Sequence, residues 1–175
     1  MPAYIPPMTR RAMMKTAAGG GMLLARRPAS ADRRVIPHRI ALMADIHVWG
    51  DAGKVIRGVR STETAGAAFK QIAAGNEVPS KIIVAGDCAA MTGRTEDYAM
   101  IRTVIEPVRK AGIGVYFALG NHDHREHFLR AFPEAGAANE AKAADKHICV
   151  LETEHADFIL LDSLDKTNVD RKSVV

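Results

Sequence analysis

Three short apolar runs, each leading straight into glycine, aspartate or asparagine, constrain this chain more than any other feature. They are residues 39–44 (RIALMA), 81–85 (KIIVA) and 115–119 (VYFAL). Continuous apolar runs of this length suit strands covered on both faces. Helical patterns lie between them. Ala65, Ala68, Phe69 and Ile72 fall at i, i+3, i+4 and i+7, with Ser61 or Thr62 as cap and Gly75-Asn76 as stop. Tyr98, Ile101, Ile105 and Val108 form a second apolar face, which Pro107 should kink or end. The order β-α-β-α-β predicts a parallel sheet with right-handed crossovers. A third helix over 125–132 and a hairpin of residues 148–152 and 157–161 should follow.

This topology has a chemical consequence. Parallel strands share a direction, so the polar residues that end the three runs are brought to one sheet edge, where open α/β sheets place their ligands. The first cluster is Asp45-Ile46-His47, a carboxylate and an imidazole that an extended backbone projects the same way. The second is Gly86-Asp87, in which glycine allows a tight exit from the strand and the carboxylate has two oxygens to share between cations; a simple turn has the same signature. The third is Gly120-Asn121-His122-Asp123. Asn121 offers a neutral oxygen ligand, and His122 a group to bind phosphate or protonate a leaving oxygen. Asp123 is placed to orient that imidazole. Asn121 or Asp123 would equally serve as the cap of the helix at Arg125.

Composition narrows the rest. With 47% hydrophobic and 25% charged residues the chain is neither disordered nor collagen-like, and 5% aromatics call for an aliphatic core. Two cysteines exclude a disulfide-stapled scaffold and a four-cysteine zinc site. The net charge of +4 is local. Arg10, Arg11, Lys15, Arg26 and Arg27 lie in residues 1–31, which hold no acid, so 19 basic residues face 20 acidic ones in the remainder. Nothing there suggests a nucleic-acid polymer as partner.

Thr9-Arg10-Arg11-Ala12-Met13-Met14-Lys15 resembles a twin-arginine export signal. It is followed by a short, weakly apolar stretch and by Ala29-Ser30-Ala31, a small-x-small cleavage pattern. The resemblance implies a signal peptide over 1–31, export machinery as a partner, a domain over 32–175, and a periplasmic or extracellular protein. No segment of the sequence reaches the ~20 apolar residues of a membrane span.

In the order in which they follow successive strands, Asp45-x-His47, Gly86-Asp87 and Gly120-Asn121-His122-Asp123 resemble the calcineurin-like metallophosphoesterases. The resemblance runs from about Arg39 to Asp162 and takes in residues 106–123 (EPVRKAGIGVYFALGNHD) and 158–163 (FILLDS). Residues 95–98 (TEDY) and 120–128 look most like the cyclic-nucleotide phosphodiesterase branch. Ala90 stands where purple acid phosphatases place tyrosine, which sets that subgroup aside. The implied fold is the N-terminal half of a four-layer α/β/β/α sandwich.

The implied activity is hydrolysis of a phosphodiester or phosphomonoester at a two-metal site with a bridging hydroxide. The substrate would be a small-molecule or nucleotide phosphate ester, and the cofactors two divalent or trivalent ions among Mn, Fe and Zn. Asp45 and His47 would hold the first metal, Asp87 would bridge and Asn121 would hold the second. His122, assisted by Asp123, would stabilise the transition state or protonate the leaving oxygen.

The family pattern continues with a further His and a Gly-His-x-His, and neither is matched. After Asp123 the histidines are His124, His127, His147 and His155. Two readings follow. In the favoured one the chain is the N-terminal part of an enzyme and is by itself nearly inactive. In the other it is a natural half-domain acting as a binding or pseudoenzyme module. An in-frame Gly-His-x-His beyond Val175 would decide between them. His124 and His127 are expected on a solvated helix face, Cys88 as a packed residue with no disulfide to Cys149 required, and Trp49 near the mouth of the site or packed in its loop.

Overall fold

In the computed structural model of the protein, residues 33–137 and 146–164 are described. The twin-arginine segment lies outside them. The elements are β1 (Arg34–Met43), α1 (Ser61–Ala74), β2 (Glu77–Ala85), α2 (Thr95–Val104), α3 (Glu106–Lys110), β3 (Gly114–Ala118), α4 (Arg125–Ala131), α5 (Pro133–Ala137), β4 (Cys149–Glu152) and β5 (Asp157–Leu160). The expected β-α-β-α-β order is present. β1, β2 and β3 form a parallel sheet in that spatial order, and β4 and β5 pair antiparallel.

Register fixes where the site falls. Met43 lies level with Val84, and Val84 with Phe117, so the three strands finish on one line. The polar clusters begin just past it. β1 starts five residues earlier than the apolar run. Val35 and Ile36 pair with Val78 and Pro79, and the register then shifts between Ile36 and Ile40. Pro37 lies in that gap and cannot donate to the ladder; its carbonyl instead accepts from Ser80 Oγ at 2.6 Å.

Helices cover one face of the sheet. Ala65, Phe69 and Ala73 of α1 are buried with Tyr98, Ile101, Ile105 and Val108, and Ile82, Val84 and Phe117 of the sheet join the same core. Pro107 acts as anticipated: α2 ends at Val104 and α3 begins at Glu106. Few as the aromatics are, they gather. Phe128 meets Tyr98 and Phe117 edge-on, with centroids 5.9 and 5.6 Å apart. Ile83 points to the opposite face and packs with Cys149, Leu151 and Leu160 of the hairpin. β2 is thus covered on both faces. β1 is not covered throughout, since Leu42 is 70% exposed, so its continuous apolar run overstates its burial.

A buried ion pair docks the hairpin side to α4. Arg125 Nε and Nη2 donate to the two oxygens of Asp162 at 2.5 and 2.9 Å, and the backbone N–H groups of His147 and Leu164 donate to the same carboxylate. Burial pushes the Asp162 carboxyl up, but these donors outweigh it and hold the group below the usual carboxylate range. His147 donates Nε2–H to the Phe117 carbonyl at 2.9 Å. Both cysteines are buried and free. Among the described residues no helix is long and apolar enough to cross a membrane.

Candidate metal centre

The first loop leaves β1 still bonded to the second. Asp45 N donates to the Gly86 carbonyl, His47 N to that of Asp87 and Val48 N to that of Cys88, at 3.0–3.2 Å; Ala90 N returns a bond to the Val48 carbonyl. Asp45, His47 and Asp87 all adopt left-handed backbone, with φ of 53°, 41° and 46°. Such conformations cost about 1–3 kcal/mol each and persist where surrounding bonds over-determine them. The extended Asp-x-His segment expected from sequence is therefore corrected to a strained turn. It still brings Asp45 Oδ1 within 4.0 Å of His47 Nε2.

Ser61 and Thr62 serve this loop rather than their helix. Arg60 occupies the N-cap of α1. The Ser61 hydroxyl donates to the His47 carbonyl at 2.6 Å, and Thr62 Oγ1 accepts from Trp49 N at 2.9 Å while bonding back to its carbonyl at 3.2 Å. The backbone from the His47 carbonyl to Trp49 is thus fixed by side chains at the start of α1. Lys54 places its ammonium 5.6 Å from the Trp49 ring centre.

Asp87 lies at the centre. Its side chain is 13% exposed, against 68% for Asp45. Oδ1 accepts from His122 N at 3.0 Å, and Oδ2 faces His47 Nε2 at 3.8 Å. Gly120 makes the approach possible, because a Cβ there would stand 2.2 Å from both Asp87 N and Oδ1. Gly120→Ala is accordingly expected to lower stability by about 1–3 kcal/mol and to push Asp87 away from His47. Denaturant unfolding with and without Mn²⁺ measures both effects.

The third loop corrects one sequence expectation. Asp123 does not orient His122. Its carboxylate turns inward, 4% exposed for the residue, and accepts from Cys88 N, Ala89 N, Gly120 N and the Tyr98 hydroxyl at 2.9–3.0 Å. Burial pushes the carboxyl up against these four donors. Nor does it cap α4, whose N-cap is His124. His122 is instead oriented by backbone: Nδ1–H donates to the Met91 carbonyl at 2.6 Å, from a residue itself held at φ 55°. The imidazole stands edge-on to that of His47, with centroids 5.1 Å apart.

His47, Asp87 and His122 each present a ligand atom within 4.8 Å of the other two. An imidazole–carboxylate set of this kind suits Mn, Fe or Zn, so the residues present fit a transition-metal ion. Asp45 lies at the rim and Asn121 in the same turn as His122. His124 and His127 are not simply a solvated face. Their rings stack with centroids 3.9 Å apart, and His127 Nδ1 donates to the Gly93 carbonyl. Sequence reasoning missed the bracing roles of Asp97 and Tyr98. Asp97 Oδ1 accepts from Gly50 N at 2.7 Å, and the Tyr98 hydroxyl accepts from His124 N at 2.6 Å.

Comparison with known proteins bears on the family and the fold. The profile of the family described as calcineurin-like phosphoesterase matches residues 38–169. A crystal structure of a dimetal phosphatase from Danio rerio superposes with a TM-score of 0.50 at 18% identity, a likeness of fold. The match covers 70% of this chain and 43% of that one, so the chain spans less than half the length of this solved relative. No curated protein matches it.

Proposed function

The chain belongs to the calcineurin-like phosphoesterase family, and from that premise we propose that it is the metal-holding part of a phosphoesterase that hydrolyses a small-molecule or nucleotide phosphate ester. The observation that carries the reading is the convergence of His47, Asp87 and His122 within 4.8 Å at the carboxyl edge of a parallel sheet. Asp45, His47 and Asp87 would hold one metal ion, and Asp87 with Asn121 a second. Such ions supply Lewis acidity toward the phosphoryl oxygens and lower the pKa of the attacking water.

The chain's own residues do the rest. Asp87 is held between the two imidazoles by the His122 N–H, which leaves Oδ2 directed at His47. With Nδ1–H committed to the Met91 carbonyl, His122 keeps Nε2 for the reaction. Protonated there, it delivers a proton to the leaving oxygen. Asp123 contributes by holding the loops together.

The 175-residue chain contains no Gly-His-x-His, and the proposal expects it to bind about one equivalent of Mn²⁺ or Zn²⁺ weakly and to turn over little. Calorimetric titration, with a bis(p-nitrophenyl) phosphate assay under added metal and then chelator, tests this. No metal binding would defeat the proposal. Metal-dependent turnover at an ordinary enzyme rate would show that His124, His127 or a second copy completes the ligand set.

We read residues 1–31 as an export leader and 32–175 as the phosphoesterase domain. Changing Arg10 and Arg11 together to Lys should then block export through the twin-arginine route, with unchanged periplasmic recovery as the contrary result.

A further inference from the structure

We propose that Tyr98 is a positioning residue of this metal centre, acting through Asp123 on the relative placement of Asp87 and His122. The proposal rests on the metal-centre reading above for one of its two measurements only.

Tyr98 lies on α2, outside all three loops, and is fully buried. A buried phenol needs a partner for its hydroxyl, and this one has two. It donates to Asp123 Oδ1 at 3.0 Å and accepts from His124 N at 2.6 Å. The same Asp123 oxygen accepts from Ala89 N, two residues beyond Asp87, and the other oxygen accepts from Cys88 N and Gly120 N. One carboxylate therefore joins the loop after β2 to the loop after β3. Joined in this way, His122 N reaches Asp87 Oδ1 at 3.0 Å and His122 Nδ1 reaches the Met91 carbonyl at 2.6 Å.

The hydroxyl fixes Asp123 against the helix and ties down the far side of the turn at His124. Phenylalanine would fill the same space and do neither. Gly93 shows how closely the arrangement is packed, since a Cβ there would stand 2.6 Å from the Tyr98 oxygen and 2.5 Å from His124 N. The adjacent Asp97 makes the corresponding bond to the first loop through Gly50 N.

Loss of a buried hydrogen bond also destabilises, so the test needs a variant that loses stability without touching these bonds. Ile101→Val does so from the same buried face of α2. Amide hydrogen exchange is followed in the full chain without metal, with the core amides of β2 as reference for global opening. In Tyr98→Phe, the Cys88, Ala89, Gly120 and His124 amides should exchange roughly tenfold or more faster than in Ile101→Val, relative to that reference. Mn²⁺ affinity should fall roughly 10–100-fold below that of Ile101→Val, the range for partners that orient metal ligands.

Loop amides that accelerate no more than the β2 amides would overturn the proposal, as would equal Mn²⁺ affinity in the two variants. If the unaltered chain binds no Mn²⁺, the phosphoesterase reading fails, while the exchange comparison still decides the role of Tyr98. Should Tyr98→Phe not fold, Gly93→Ala displaces the same hydroxyl from the loop side and should give the same pattern of exchange.

Discussion

Asp87→Asn is expected to remove measurable Mn²⁺ or Zn²⁺ binding while leaving the fold in place. The carboxylate occupies the middle of the site, with one oxygen bonded to His122 N and the other facing His47 Nε2. An amide keeps the shape and one acceptor. It loses the negative charge and turns a donor toward either the His122 N–H or the metal. Two opposite unit charges about 4 Å apart near a protein surface attract by about 4 kcal/mol, and every 1.4 kcal/mol is tenfold in affinity. A loss of roughly 10²–10³-fold follows, and with it any hydrolysis that depends on the ion. Asp45→Asn should cost less, because that side chain is 68% exposed and a solvated charge interacts more weakly. Titration calorimetry on the two variants, with circular dichroism to check folding, measures the contrast. Equal losses would mean that Asp87 is not the central ligand.

What was legible in the sequence, and what was not, separates along physical lines. The parallel sheet could be read because apolar runs of strand length end abruptly in Gly, Asp or Asn, and shared strand direction then carries those residues to one edge. The break at Pro107 was legible for the same reason, since it is local. The apolar run understates β1 because Pro37 interrupts it, although pairing continues on its far side. Asp123 departs from the sequence expectation because adjacency in sequence does not give adjacency in space. In a tight turn successive side chains diverge, so His122 faces the site while Asp123 faces the core.

By periodicity Tyr98 is only an apolar position on a helix. Its ring does belong to the core, but its hydroxyl serves partners 25 and 26 residues away, which no periodicity can reveal. The sequence offers Ser61 or Thr62 as the cap of α1. Their hydroxyls bind a loop 13 and 14 residues upstream instead, where the strained backbone at His47 has greater need of them.

His122→Ala, in a chain whose ligand set is completed by a downstream Gly-His-x-His, is expected to lower kcat by roughly 10²–10⁴-fold, the usual span for a general acid, with metal affinity changed much less than in Asp87→Asn. Two roles are open to this imidazole by position. Its ring nitrogen lies close enough to His47 and Asp87 to join them as a ligand. Its Nδ1–H bond to Met91 leaves Nε2 to carry a proton toward the leaving group. The roles differ in what they predict across substrates. A general acid matters most for a poor leaving group, so the loss should be large for an alkyl phosphodiester and small for a p-nitrophenyl ester, whose phenolate departs with little need of a proton. A ligand would reduce both substrates alike, since the same ion would serve the attacking water in each. We expect the unequal loss. The His122 backbone N–H already serves Asp87 and remains in the alanine variant, so Asp87 keeps its place and only the side-chain proton is removed. A uniform loss accompanied by a matching fall in metal affinity would instead place His122 with His47 and Asp87 as a ligand.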